Sequence, residues 1–165
     1  MWKLVEPASL DIDALLALSN AHEREIGRFT RNDFAELVGL SFRTRMTEAR
    51  DAFLIALAER APADAPNYHW FSERISRFVY IDRVVVGEQV RRRGLARLLY
   101  DDLFEAARRA GYARVCCEVN IDPPNPGSDA FHMRLGFQEI GRAYLPTREK
   151  TVRYLVRELG PESRK

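Results

Sequence analysis

The chain has few residues suited to disulfides or to binding a metal. Its 165 residues include two cysteines and three histidines. Cys116 and Cys117 are adjacent, and neighbouring side chains of a strand point to opposite faces, so we do not expect them to pair. Free thiols indicate a reducing compartment. Because His22, His69 and His132 are far apart in the sequence, we expect no metal.

The chain also lacks a long hydrophobic run and a large excess of charge of one sign. No apolar segment approaches the roughly 20 residues that cross a bilayer, and residues 1–6 lack a signal-peptide core. We therefore expect a cytoplasmic protein without membrane partners. The net charge of +2 is too balanced for a dedicated nucleic-acid binder. Length and composition predict one domain over residues 1–160, followed by a C-terminal tail over 161–165.

Two common phosphate-binding motifs are missing. The dinucleotide fingerprint G-x-G-x-x-G does not occur in the chain. Gly94 is followed by Leu95 and Ala96, whereas a P-loop requires Lys and then Ser or Thr. These absences argue against the common nucleotide-binding folds that depend on either motif.

A basic loop joins the most strand-like run of the chain to an amphipathic helix. The run ends with Val84, Val85 and Val86, the loop contains Arg91, Arg92, Arg93 and Gly94, and the helix opens with Leu95 and Ala96. A helix N-terminus presents backbone N–H groups without internal partners and the positive end of the helix dipole. Gly94 would let a ligand approach the backbone without meeting a Cβ. The loop predicts a phosphate site, and a solvated helix entrance is the alternative.

Hydrophobic periodicity predicts strands and helices along the whole chain. Strands are expected over residues 2–6, 41–48, 52–57, 78–86, 113–119, 140–144 and 151–158, and helices over 10–24, 32–40, 95–110 and 126–135. Thr30 or Asn32 is expected to cap the second helix. Residues 60–67, which contain two prolines, predict a loop. The strands over 78–86 and 113–119 are joined by a helix and should be parallel, whereas the last two should be antiparallel.

Two motifs in a fixed order resemble the GNAT superfamily of N-acetyltransferases. The first is Arg91-x-x-Gly94-x-Ala96, which is similar to the family loop R/Q-x-x-G-x-G/A. The second is Asn125 followed by Ala130-Phe131-His132-Met133-Arg134-Leu135-Gly136-Phe137, which is similar to a family helix that opens near an Asn and ends in Leu-Gly-Phe. The resemblance is strongest over residues 78–140. The run 120–126 is also similar to a branch of bacterial acetyltransferases whose substrates are unassigned.

The resemblance implies a fold and a cosubstrate. The fold is α/β, with a mixed sheet of about six or seven strands whose parallel central strands splay apart and about four flanking helices. The cosubstrate is acetyl-CoA, with its pyrophosphate on the loop from Arg91 through Ala96 and its pantetheine paired along Val84–Val86. Splaying would expose Val86 and Asn120 near the cleft. Asn125 matches a family Asn that commonly touches the cofactor.

The same resemblance implies groups for direct acetyl transfer to an amine in a ternary complex. Glu118 matches a glutamate that removes the amine proton in several members, and a carboxylate in an apolar strand is independently a candidate base. A salt bridge to an arginine is the alternative. Asp82 is the second candidate base, and Arg83 is expected on the opposite face of the strand.

His132 stands where the family has a tyrosine that protonates the departing thiolate. Tyrosine has an ordinary pKa near 10 and is protonated at neutral pH, whereas the ordinary pKa of histidine is near 6.5. His132 could therefore donate a hydrogen bond to sulfur, act as an acid, or be a polar helix residue without a catalytic role.

The acceptor and the partners are less defined. The acceptor pocket is expected to involve the N-terminal helices and the strand over 41–48, with Phe42, Arg43, Arg45, Tyr68, Trp70 and Tyr80 as lining candidates. Such side chains suit an amine with an apolar portion and a carboxylate, such as an amino acid or a peptide terminus. Two other functions stay open: a CoA-binding module without catalysis, and a nucleic-acid-associated protein that uses residues 91–93. A homodimer is common for this size and fold.

Overall fold

A seven-stranded mixed β-sheet lies at the centre of the computed structural model, which describes residues 2–22 and 28–161. The strands are β1 (Leu4–Val5), β2 (Arg43–Thr47), β3 (Ala52–Ala58), β4 (Phe78–Val86), β5 (Arg114–Asp122), β6 (Gln138–Leu145) and β7 (Lys150–Glu158). Their order in the sheet is β1-β2-β3-β4-β5-β7-β6. Among these strands of the described residues, β4 and β5 are the one parallel pair of neighbours. The predicted parallel pair and the antiparallel pairing of the last two strands are confirmed.

Five α-helices occur among the described residues. They are α1 (Ile12–Asn20), α2 (Arg31–Leu40), α3 (Pro66–Ser72), α4 (Leu95–Arg109) and α5 (Pro126–Arg134). Thr30 caps α2, because its hydroxyl accepts a hydrogen bond from the backbone N–H of Asp33 at 3.2 Å. The predicted helix over 10–24 begins at Ile12, after a short 3-10 turn over Ser9–Asp11, and residues 23 and 24 lie outside the described ranges.

The predicted loop over residues 60–67 is confirmed up to Ala65, and helix α3 replaces its last two residues. Pro66 is its first residue, and proline is well suited to the first helical position because its fixed φ matches the helix and the missing N–H would have no partner there. The helix then buries Asn67, Tyr68 and Phe71. Aromatic burial against the sheet outweighs the loop tendency of the proline-rich segment before it.

The two faces of the sheet form separate hydrophobic cores. Helix α4 supplies Leu95, Leu99 and Leu103 to one core, which includes Cys117 from β5. Helices α1, α2 and α3 cover the other face, where the core includes Cys116. The two cysteine side chains therefore point to opposite faces, as predicted. Over residues 2–22 and 28–161, no helix is both long enough and apolar enough to pass through a bilayer.

The central parallel strands part after three paired positions. The partners are Phe78 with Arg114, Val79 with Val115, and Tyr80 with Cys116. Beyond Tyr80, β4 stays paired with β3 and β5 stays paired with β7, so the two halves of the sheet separate as they extend. The predicted splay is confirmed, and it opens a gap at the C-terminal ends of β4 and β5.

A β-bulge at Asp82 corrects the expected direction of Arg83. Ile81 pairs with Ala56 and Arg83 pairs with Ile55, so Asp82 is an extra residue on β4. Because a bulge interrupts the strict alternation of side chains, Asp82 and Arg83 reach each other, with Arg83 Nε 3.0 Å from Asp82 Oδ2. They were predicted to lie on opposite faces.

Candidate active site

A cavity of about 470 Å³ lies at the gap between β4 and β5. Tyr80 and Glu118 line it from the face covered by α1, α2 and α3, whereas Tyr100, Cys117 and His132 line it from the face covered by α4. The splay therefore makes side chains from both faces accessible from one space. The wall also includes four residues that the sequence singled out, Asp82, Val84, Asn120 and Asn125. Other wall residues were not predicted, among them Arg28, Phe29, Asn67, Leu145, Arg148 and Lys150.

Glu118 is held at the wall of this cavity by a buried tyrosine. The hydroxyl of Tyr80 donates a hydrogen bond to Glu118 Oε2 at 2.8 Å. Tyr80 is the last paired position of β4, and Glu118 lies two residues beyond its partner Cys116 on β5, so their side chains meet where the strands begin to part. Glu118 keeps partial exposure to the cavity, which leaves its carboxylate accessible to a bound molecule.

The environment of Glu118 raises the pKa of its carboxyl to about 7. Burial is the largest cause, because desolvation disfavours the charged form, and the nearby charge of Asp82 acts in the same direction. Hydrogen bonds from Tyr80 and Asn67 oppose this effect. A carboxyl with a pKa close to neutral pH is suited to accepting and releasing a proton under physiological conditions.

Asp82, the second predicted base, is occupied by an ion pair. Its partner Arg83 also donates to the hydroxyl of Ser19 at 2.7 Å and lies over the ring of Phe29 at 4.1 Å. These contacts hold Arg83 against α1 and keep its charge next to Asp82. Asp82 still lines the cavity, but its carboxylate is engaged by Arg83, so the geometry favours Glu118 as the proton acceptor.

His132 uses both ring nitrogens within the protein. Nδ1 lies 2.7 Å from the carbonyl oxygen of Ser128, and Nε2 lies 2.7 Å from the hydroxyl of Tyr100. A carbonyl can only accept, so Nδ1 carries the proton and neutral Nε2 accepts from Tyr100. Burial lowers the pKa of His132 and favours this neutral form. The immediate partner of His132 is thus Tyr100, which was not predicted.

The basic loop adjoins a second cavity of about 500 Å³. The cavity is lined by Val86, Val90, Arg91, Arg92, Gly94, Leu95, Ala96, Arg97, Phe131, Arg134 and Leu135. Gly94 precedes α4 with a φ of +82°, a conformation that glycine adopts without strain. The N–H groups of the first turn of α4 lack carbonyl partners within the helix. Arg93 is exposed beside this cavity, whereas Val85 is buried in the core on the other face.

Asn125 has a structural partner as well as a place on the cavity wall. Its side chain caps α5 by accepting a hydrogen bond from the backbone N–H of Ser128 at 3.3 Å. Asn120 lies on β5 two residues beyond Glu118 and also lines the cavity. Within the described ranges, no cluster of three or more His, Cys, Asp or Glu side chains is placed to hold a metal ion.

Five of the six predicted acceptor-lining residues lie away from the cavity, and only Tyr80 lines it. Arg43 pairs with Asp102 at 2.6 Å on the side of α4, and Arg45 pairs with Glu6. Phe42 packs on Tyr112, the hydroxyl of Tyr68 donates to the carbonyl of Ala58, and Trp70 stacks on Tyr154. Residue type alone did not reveal these contacts, because arginines and aromatics serve packing as readily as binding.

Two residues of the site could have been found from the sequence by a closer look at local signals. Tyr100 interrupts the apolar stripe of a predicted helix with a hydroxyl that requires a partner when buried. Asn67 follows Pro66, and a proline at this point indicates the start of a helix. Both signals are weak without knowledge of which elements become neighbours.

Comparisons with known proteins agree with this geometry. The model of the acetyltransferase (GNAT) family matches residues 33–137. No curated protein sequence is similar enough to this chain to count as a match.

Solved structures share the fold at low sequence identity. The ribosomal-protein-S18-alanine N-acetyltransferase from Escherichia coli has a TM-score of 0.73 at 16% identity, covering 99% of this chain and 97% of that one. An N-acetyltransferase from Staphylococcus aureus Mu50 has a TM-score of 0.72 at 16% identity, covering 97% and 99%. The protein yncA from Salmonella typhimurium, solved with its cofactor acetyl-CoA, has a TM-score of 0.71 at 15% identity, covering 100% and 98%. The family match spans more than half of the chain, and this protein therefore belongs to the acetyltransferase (GNAT) family and is an acyltransferase.

Proposed function

We propose that this acetyltransferase transfers the acetyl group of acetyl-CoA directly to a primary amine. One observation carries the proposal: a carboxyl with a pKa of about 7 faces a cavity at the gap between the splayed strands. An amine must be neutral to attack a thioester, so it needs a nearby group that accepts its proton. Glu118 fits that need in position and in basicity.

The residues around the basic loop fit the donor. Val84 lines the cavity that contains Glu118, and Val86 lines the cavity beside the loop, so one stretch of β4 borders both. The unpartnered N–H groups at the start of α4, together with Arg91 and Arg92, suit a diphosphate. Beyond Tyr80, the edge of β4 that faces the gap no longer pairs with β5, which leaves backbone groups for an extended pantetheine.

Direct transfer is favoured over an acyl-enzyme because the nearby thiols are poor nucleophiles. Cys117 lines the cavity, and Cys116 lies on the other face of β5. Burial raises the pKa of both thiols well above the ordinary value. Since the thiolate is the reactive form, neither cysteine is suited to carry an acetyl group.

The Tyr100–His132 pair is the proposed source of the proton for the departing thiolate. The hydroxyl of Tyr100 is buried and donates to Nε2 of His132. To protonate the departing thiolate, it would turn from Nε2 to the sulfur and give up this proton, and both residues line the cavity. The role predicted for His132 is thus proposed here for the pair. Burial raises the pKa of Tyr100 well above its ordinary value, so its hydroxyl keeps its proton at neutral pH.

Incubation with acetyl-CoA and a panel of amines, with release of free thiol as the readout, tests the proposal. We expect amine-dependent thiol release, and a drop of about 10²–10⁴-fold in kcat/KM for Glu118→Gln. Glu36→Gln, which changes an exposed glutamate of α2, is the matched control and should retain activity. Tight binding of acetyl-CoA without turnover on any amine would instead favour a non-catalytic CoA-binding module.

A further inference from the structure

We propose that Asn67 of α3 is a positioning residue for Glu118 and that Tyr154 of β7 holds Asn67 in place. The inference rests on the proposed function, since it assumes that Glu118 accepts the amine proton. It extends the site to α3, a helix that lies outside the two sequence motifs. It is carried by the geometry of the buried side chains of Asn67 and Tyr154 beside the partly exposed carboxylate of Glu118.

The hydrogen bonds around Asn67 define the orientation of its amide. Asn67 is only 5% exposed, and the hydroxyl of Tyr154 donates to its Oδ1 at 2.9 Å. Because Oδ1 is used as an acceptor, Nδ2 remains as the donor. Asn67 and Glu118 line the same cavity, and hydrogen bonding from Asn67 lowers the pKa of the Glu118 carboxyl. Tyr154 therefore selects the amide orientation that presents N–H groups to the carboxylate.

Two donors then hold the carboxylate of Glu118. The Tyr80 hydroxyl bonds Oε2 from β4, and Asn67 donates from α3. Donors stabilise the ionised form of a carboxylate, whereas burial favours the neutral form. Removing the Asn67 donor is therefore expected to raise the pKa of the Glu118 carboxyl.

Other titratable or charged groups face Glu118 from each neighbouring element. Asp82 on β4 is close, with Arg83 as its ion-pair partner. Cys116 and Cys117 belong to the same strand as Glu118, Tyr154 lies opposite on β7, and Tyr100 lies on α4. None of these groups replaces the hydrogen bond from Asn67. Loss of that bond should therefore still change the pKa of Glu118.

The packing around Tyr154 fixes its hydroxyl. Its ring stacks on Trp70 of α3, with centroids 3.9 Å apart and an interplanar angle of 14°, and Phe71 packs edge-on at 5.2 Å. Burying an asparagine in an aromatic cluster is costly unless its polar groups are satisfied. A helix that served only to cover the sheet would place an apolar residue at position 67.

The pKa of Glu118 can be measured without any acetyl transfer. Carbon-13 NMR of glutamate-labelled protein gives its titration, with Glu118→Gln to assign the signal. In Asn67→Leu, which keeps the branched shape of the side chain but removes its N–H donor, we expect the pKa of Glu118 to rise by about one pH unit, and the acid limb of kcat/KM against pH should move with it. Tyr154→Phe should raise the pKa of Glu118 by a smaller amount, because the amide of Asn67 is still present in that variant but is no longer oriented by the Tyr154 hydroxyl.

Tyr68→Phe is the matched control. Tyr68 is buried in the same aromatic cluster and contacts Tyr80, but its hydroxyl bonds the backbone of Ala58 and Ala61. It should leave the titration of Glu118 unchanged. An unchanged pKa in folded Asn67→Leu would overturn the inference, and if that variant does not fold, an unchanged pKa in Tyr154→Phe would do so. Absence of turnover on every amine would count against the proposed function while leaving the NMR result readable.

Discussion

At the scale of single residues, the proposed chemistry depends on how burial and hydrogen bonds compete to set the pKa of Glu118. Desolvation raises the pKa of its carboxyl to about 7, and donated hydrogen bonds limit the rise. A glutamate on an exposed surface would be fully ionised and a weak base. The position of Glu118 beside the gap makes it a stronger base that is still accessible.

The raised pKa predicts that stability falls as pH rises. The ordinary pKa is 4.5 and the folded value is about 7, so between these values the folded state holds a proton that the unfolded state has lost. Across that window the free energy of unfolding decreases with pH. Glu118→Gln should remove this component and gain at most about 3 kcal/mol relative to the parent at pH 8, as measured by denaturant unfolding at pH 4 and pH 8. A gain equal at both pH values would contradict the prediction.

Tyr100 and His132 should behave as one unit in catalysis. We expect Tyr100→Phe and His132→Phe each to lower kcat, and the double variant to be little worse than either, because each single change breaks the same hydrogen bond. His132→Phe should retain affinity for acetyl-CoA in calorimetry. It should also cost about 1–3 kcal/mol of stability, since the buried Tyr100 hydroxyl loses its acceptor.

Kinetics under chemistry-limited conditions check this coupling. Tyr112→Phe, on a partly exposed tyrosine after α4, is a control that should keep the parent kcat. Additive losses in the double variant would mean that the two residues act independently, and an unchanged kcat in His132→Phe would remove it from the mechanism.

At the scale of elements, the candidate site depends on the conformation of the loop before α4 and on the packing of α3 against the sheet. Gly94 precedes α4 in the left-handed region, with φ at +82°. A Cβ there would meet no protein atom within 4 Å. Its requirement for glycine is therefore conformational and is not caused by crowding within the protein.

Gly94→Val should strongly weaken acetyl-CoA binding. A β-branched residue is strained at positive φ, so the loop must change shape and its N–H groups must turn away from the diphosphate. Gly39→Val is the matched control, because Gly39 lies within α2 and a Cβ there also meets nothing within 4 Å. Titration calorimetry should show parent-like affinity for the control, and parent-like affinity in Gly94→Val would refute the placement of the phosphate site.

Gly141 of β6 lets α3 pack closely against the sheet. A Cβ at this position would lie 2.5 Å from Cζ2 of Trp70, and the Trp70 ring is confined by its stack on Tyr154 and by Arg74 at 4.3 Å. We expect Gly141→Ala to destabilise the protein by about 1–3 kcal/mol, as for other overpacked sites. Thermal and denaturant unfolding measure the loss, and Gly39→Ala should show none.

At the scale of the whole molecule, the sheet is continuous at one end of β4 and β5 and open at the other. Both halves retain their outer pairings, so the gap is held open by the rest of the sheet. The cavity at this gap is lined from both faces. A ligand bound there would bridge the two halves, and its binding energy would add to the stability of the folded state.

We therefore expect acetyl-CoA to stabilise the parent protein. At a free concentration of 100 times Kd, linkage gives about 2.7 kcal/mol, or a rise in Tm of about 5–10 °C for a chain of this length. Differential scanning fluorimetry over a range of acetyl-CoA concentrations measures the rise. Gly94→Val should show little response, and a parent Tm independent of acetyl-CoA would contradict the assignment of the donor.

The order of elements and the position of the basic loop before α4 were predictable from local patterns. The strand over 78–86 was predicted with the bounds that the structure has, and the helix that follows was predicted to within one residue at its end. These segments have strong periodicity and clear end signals, and such signals depend only on neighbouring residues. Glu118 was also selected from the sequence as a candidate base, because a carboxylate in an apolar strand is unusual wherever the strand lies.

Only the tertiary structure decided which side chains meet. The bulge at Asp82 turned Arg83 toward it, helix α3 brought Asn67 to Glu118, and α4 placed Tyr100 against His132. These contacts join residues that lie far apart in the chain, except for the Asp82–Arg83 pair, whose direction depends on the register with β3. Local patterns specify faces and ends of elements, whereas a pKa or a hydrogen-bond partner is set by neighbours that arrive only when the sheet and helices pack.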